Sequence, residues 1–123
     1  MIKTETRELR TMKTVLLIDD DQAMRKMISD VLGHAGHQVM MANDGPSGVA
    51  LIEAFAPDVV ICDINMPDID GYEVLQEIRE NEATSHTRFY FLTGERDAVR
   101  GDADGLLQKP LGARDLIDLV ERD

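Results

Sequence analysis

A strand with no polar face has to be covered on both sides, and residues 58–62 (DVVIC) form such a strand, apolar from the second residue to the last. That pattern belongs to parallel sheets, whose crossover helices bury both faces. Residues 14–19 (TVLLID), 37–42 (HQVMMA), 88–92 (RFYFL) and the short 105–108 (GLLQ) read as four further strands. Between them, apolar residues fall at helical spacing. Residues 22–35 place Met24, Met27, Ile28, Val31, Leu32 and Ala35 on one face. Residues 47–56 turn Val49, Ile52 and Phe55 or Ala56 inward, and residues 71–82 turn Val74, Leu75 and Ile78 inward. A last helix over 113–121 carries Ala113, Leu116, Ile117 and Val120. Turns fall at Asn43-Asp44-Gly45 and at Pro57. Strands alternating with helices predict an α/β fold: a doubly wound parallel sheet with helices on both faces.

A chain of 123 residues is the size of one domain. Residues 1–13 are polar and mixed in charge and read as a tail, leaving 14–123 as the folded unit. The net charge of −11 argues against direct binding to nucleic acid, which needs clustered Lys and Arg. No apolar run approaches the roughly 20 residues that cross a bilayer, and no apolar signal core follows Met1. No membrane association and a cytoplasmic location are the expectations. The single cysteine, Cys62, sits in an apolar run and reads as a small buried hydrophobe.

In such folds function gathers outside the carboxyl ends of the strands. The first strand ends in Asp19-Asp20-Asp21, and the third runs into Asp63-Ile64-Asn65-Met66-Pro67. The fourth ends in Thr93-Gly94 and the fifth in Lys109-Pro110. Acids crowded at one rim repel unless a divalent cation neutralises them. Oxygen ligands with open positions suit Mg2+. Lys109 and Thr93 offer a bound phosphoryl group a cation and a hydroxyl donor, and an aspartate can itself be the nucleophile. Taken singly, each residue has an ordinary reading. Asp21 is an N-cap, Thr93 a strand end, Lys109 a solvated charge, and Asn65-Met66-Pro67 a turn. The argument rests on the set, in this order, at these strand ends.

The segments VLLIDDDQAMRKMI, DVVICDINMPDIDGYEVLQEIR, FLTG and QKPL together resemble a response-regulator receiver domain, chemotaxis-regulator-like, over residues 14–121. The D-x-x-M-P-x-x-x-G spacing from Asp63 to Gly71 is the most specific part. The resemblance implies a flavodoxin-like sheet of order 2-1-3-4-5. It implies Asp63 as the phospho-acceptor, with Thr93 and Lys109 engaging the phosphoryl group. It implies a Mg2+ site of Asp20, Asp63 and the Asn65 backbone carbonyl, with Asp19 acting through water. The Lys109-Pro110 bond would be cis. Family members take a phosphoryl group from a sensor histidine kinase or a histidine phosphotransfer protein. They catalyse only that transfer and their own dephosphorylation, and they signal to a downstream protein or output domain.

Two departures stand out. An aromatic residue usually stands three positions before the lysine; here it is Leu106. Thr93 and Lys109 are 16 positions apart (109 − 93), several fewer than is usual. Residues 95–104 (ERDAVRGDAD) are too short and polar for a full fourth helix, so one helical turn or a mobile loop is expected there. Asn65 and Glu95 occupy the two flanking positions that tune acyl-phosphate hydrolysis in the family. A pseudo-receiver that keeps the fold without phosphorylation is the alternative. A haloacid-dehalogenase-type phosphatase would read Asp19-Asp20-Asp21 as D-x-D. It would want Thr or Val where Gln22 stands, and a cap domain for which 123 residues leave little room.

Overall fold

The computed structural model describes residues 12–122, so the tail expected over 1–13 lies almost wholly outside the described residues. In chain order the elements are β1 (Thr14–Ile18), α1 (Gln22–His34), β2 (Gln38–Ala42), α2 (Gly45–Phe55), β3 (Val59–Asp63), α3 (Gly71–Glu80), β4 (Arg88–Thr93), β5 (Gly105–Gln108) and α4 (Ala113–Glu121). The strands form one parallel sheet in the order β2-β1-β3-β4-β5. This is the doubly wound, flavodoxin-like arrangement expected from the sequence.

Period-two alternation divides the strand residues between two cores. Val15, Leu17, Val59, Ile61, Tyr90, Leu92 and Leu107 face α1 and α4, where they meet Ile28, Leu32, Leu116, Leu119 and Val120. Leu16, Ile18, Val60, Cys62, Phe89 and Phe91 face the other way and meet Ile52 of α2 and Val74, Leu75 and Ile78 of α3. Every residue of β3 is buried, as its composition requires. The strand runs one residue later than the apolar run suggests. The Asp58 side chain leaves the strand to accept the Thr14 N–H at 2.8 Å.

Carboxylates at the loop–helix junctions start three of the helices. Asp21 accepts from the N–H groups of Ala23 and Met24, Asp44 from Ser47, and Asp70 forms a capping box with Glu73. The inward faces differ from expectation at the margins. Met27, Phe55, Ala35 and Ala113 are exposed, and Leu119 is buried. Phe55 is displaced because α2 packs inward through Gly45, against Ile69 and Val74, and through Gly48, against Ile18 of β1. A Cβ on Gly48 would stand 2.4 Å from Ile18 Cδ1. The buried stripe of α2 is therefore Gly45, Gly48 and Ile52, a pattern that apolar spacing does not reveal.

No helix spans residues 95–104. The connection is nonetheless fastened. Arg79 of α3 donates to the carbonyl oxygens of Ser85, Thr87 and Asp102 and to Asp104 Oδ2. Asp104 exchanges backbone and side-chain bonds with Phe89, and Ala103 is buried against the α3 side of the sheet. Tyr72 lies edge-on to Phe91 with ring centroids 5.0 Å apart, and its Oη accepts the Val99 N–H at 3.3 Å. The sequence reading of a short or missing helix holds, but the loop is tied down along its length. No helix among the described residues is long and apolar enough to cross a membrane.

Candidate functional site

The site lies at the carboxyl ends of β1, β3, β4 and β5. Asp19 directly follows β1, and Asp63 is the last residue of β3. Because β1 and β3 are hydrogen-bonded neighbours, their ends bring the acids together. Asp19, Asp20 and Asp63 each offer a carboxylate oxygen, and these oxygens all lie within 4.8 Å of one another. Asp19 and Asp63 are buried and Asp20 is exposed, so the cluster opens to solvent on one side. Lys109, just after β5, places Nζ 3.9 Å from Asp63 Oδ1.

Thr93 ends β4 and is buried; its hydroxyl oxygen accepts the Glu95 N–H at 3.0 Å. The Thr93 carbonyl oxygen accepts the Lys109 N–H at 2.8 Å, so these two residues are held side by side. Asn65 lies in the loop after β3. Its side-chain amide donates to Glu95 Oε1 at 2.9 Å, joining the two flanking positions across the mouth of the site. The Lys109-Pro110 bond is cis.

Electrostatics follow from this crowding. Burial, and then the neighbouring Asp19 charge, raise the Asp63 carboxyl from 3.8 to about 6, against the opposing pull of Lys109. Burial also raises Asp19, while the Asp21 N–H bonded to its Oδ1 works the other way. Asp19 Oδ2 is buried with no hydrogen-bond partner. A buried orphan carboxylate oxygen beside two further carboxylates is the arrangement a hard divalent cation satisfies. The donor set, all oxygen with one open side, fits Mg2+ better than softer metals. Cys62 Sγ packs against the Asp63 carbonyl, and burial pushes its thiol well up, which leaves it inert.

Gly71 holds Asp63 in place from α3. Its N–H donates to the Ile64 carbonyl at 2.8 Å, and a Cβ there would stand 2.5 Å from the Asp63 carbonyl oxygen. Only a glycine lets α3 start this close to the end of β3. Gly71→Ala is expected to destabilise the chain by about 1–3 kcal/mol through overpacking. Urea unfolding measures this, and an unchanged midpoint would show that the loop yields freely. The sequence pattern includes Gly71 but does not disclose this contact.

The model of the response regulator receiver domain matches residues 15–121. The chain belongs to that family. Among relatives of this receiver, the chemotaxis protein CheY of Halobacterium salinarum is 32% identical over 112 residues, covering 88% of this chain and 93% of that protein. The transcriptional regulatory protein TrcR of Mycobacterium tuberculosis is 35% identical over 109 residues, covering 84% of this chain but 42% of its own length. The receiver thus spans less than half of that regulator. Its structure is similar to that of the chemotaxis response regulator CheY4 of Vibrio cholerae, with a TM-score of 0.84 at 32% identity over 91% of this chain and 98% of that one.

Proposed function

We propose that the receiver accepts a phosphoryl group on Asp63 from the phosphohistidine of a sensor histidine kinase or a histidine phosphotransfer protein. It then signals to a downstream protein or output domain. The observation that carries this reading is the convergence of Asp19, Asp20 and Asp63 within 4.8 Å, with Lys109 beside Asp63 and one Asp19 oxygen left unpartnered. Asp20, Asp63 and the Asn65 carbonyl would hold Mg2+, with Asp19 behind them through water. When bound, the cation neutralises the acids and the oxygens of the transferring group.

The residues divide the remaining work. An Asp63 carboxylate oxygen attacks phosphorus in line as the P–N bond to the donor imidazole breaks, and the imidazole leaves to take a proton. Lys109 stands where it pairs with a phosphoryl oxygen. It also restrains the Asp63 carboxylate between turnovers. Thr93 turns its hydroxyl from the Glu95 N–H toward the phosphoryl group, which frees the start of the β4–β5 loop. The Asn65–Glu95 bridge stands over the same opening, where water must pass to hydrolyse the acyl phosphate. These steps are self-directed transfer and dephosphorylation rather than turnover of a free substrate.

Intact-mass spectrometry after incubation with acetyl phosphate tests the reading. One phosphoryl adduct is expected with Mg2+ and none with EDTA. No adduct with any phosphodonor, Mg2+ present, supports the pseudo-receiver alternative.

A further inference from the structure

We infer that Arg25 is a positioning residue for the cation site, fixing the Asp19–Asp20 turn from the α1 side. The inference rests on the reading that this turn holds Mg2+. Arg25 lies in the first turns of α1, whose N-cap is Asp21. Its Nη1 donates to the Asp19 carbonyl oxygen at 2.6 Å, a short, charge-assisted bond.

The remaining polar atoms of Asp19 show why this bond matters. The Asp19 N–H donates to Ala42 O at 3.1 Å, which continues the β1–β2 ladder. Oδ1 accepts the Asp21 N–H at 2.9 Å within the turn itself. Oδ2 alone has no partner and is buried. The first two restraints come from the sheet and from the turn's own backbone. The carbonyl is fixed by a side chain reaching from another element. That carbonyl shares its rigid peptide plane with the Asp20 nitrogen. Holding it sets the direction in which Asp20 leaves β1, and therefore where the exposed Asp20 carboxylate meets the other two.

Arg25 acts through the backbone that it holds. The Arg25 guanidinium is turned to a backbone oxygen, and its stem runs along a groove that Met41, Asn43 and Ser47 also line. A methionine keeps that apolar stem while removing the donor.

The test is calorimetric titration of the whole chain with Mg2+ for the wild type, Arg25→Met and Arg25→Lys, alongside thermal unfolding in EDTA. Arg25→Met is expected to raise the Mg2+ Kd about tenfold, the scale of losses when a group orienting a metal ligand is removed. Arg25→Lys keeps a donor and recovers part of the loss. Phosphoryl uptake from acetyl phosphate returns toward wild type when Mg2+ is raised to saturate the variant. An Arg25→Met protein that melts lower in EDTA but binds Mg2+ like the wild type overturns the positioning role and leaves the proposed function standing. A wild-type chain that takes up no Mg2+ overturns both.

Discussion

In Asp63→Asn the phosphoryl adduct disappears, and the metal-free protein becomes more stable than the wild type. The first effect follows from replacing the nucleophilic carboxylate with a neutral, weakly nucleophilic amide. The second follows from the charge the amide removes. Asp63 has its carboxyl raised from 3.8 to about 6 by burial and by Asp19. A carboxyl whose folded pKa is raised binds its proton more tightly in the folded state. Its favourable contribution is complete below the unfolded value and is lost as pH rises through about 6. Above that, ionised Asp63 weighs against the fold by roughly 2–3 kcal/mol, taking about 1.4 kcal/mol per pKa unit. The side chain is 9% exposed, so solvent screens little of this. Urea unfolding in EDTA at pH 8 is therefore expected to favour Asp63→Asn by about 2 kcal/mol, with the gap closing as the pH falls from about 6 through the unfolded value of 3.8. Adding Mg2+ stabilises the wild type by mass action and narrows or reverses the difference. Equal stabilities at pH 8 in EDTA would mean that the acids are solvated, which would sink the electrostatic account of the site. An adduct that persists in the variant would move the acceptor elsewhere.

Arg79→Met is expected to destabilise the chain by about 2–4 kcal/mol, lowering the melting temperature by roughly 10 °C. The Arg79 side chain is 19% exposed and serves acceptors from two stretches of chain: Ser85 and Thr87 in the α3–β4 connection, and Asp102 and Asp104 at the end of the β4–β5 connection. Its bond to the Thr87 carbonyl, at 2.7 Å, is the shortest. Removing the fork leaves several carbonyl oxygens to find water in a half-buried place. Arg79→Lys should recover only part of the loss, because an ammonium cannot reproduce a planar fork. Thermal unfolding, with hydrogen exchange at Phe89 and Asp104, separates the outcomes. A loss below about 0.5 kcal/mol, the range of ordinary surface changes, would show that the end of the loop is held by Ala103 and the Asp104–Phe89 bonds without help from Arg79.

The sheet was legible because its strands are short, apolar and regularly spaced, and β3 in particular has no other home. The fold also brings together Asp19, Asp20, Asp63 and Lys109, as expected from their places at strand ends. What sequence did not show are contacts between elements. The close approaches of Gly48 to Ile18 and of Gly71 to Asp63 depend on how each helix docks against a strand rather than on periodicity. Phe55 has the right spacing to point inward, yet lies on the solvent side once two glycines set the face of α2. Leu106 announces that the usual aromatic is missing from β5. That Tyr72 of α3 supplies an aromatic edge against Phe91 could not be read from residues so distant in the chain. Nothing in the sequence singles out Arg79, because its acceptors are mostly backbone carbonyls, which carry no sequence signature.

The helix-free connection between β4 and β5 has a practical side. Its beginning is bridged from Glu95 to Asn65 at the site, its middle touches Tyr72 through Val99, and its end is gripped by Arg79 and Phe89. Arg96 and Asp97, between the first two ties, face solvent. Exposed loop positions of this kind tolerate inserted sequence well. A circularly permuted fluorophore spliced between Arg96 and Asp97 would sit two residues from the Asn65–Glu95 bridge, with the sheet register undisturbed. It would turn this receiver into an optical sensor of its own phosphorylation.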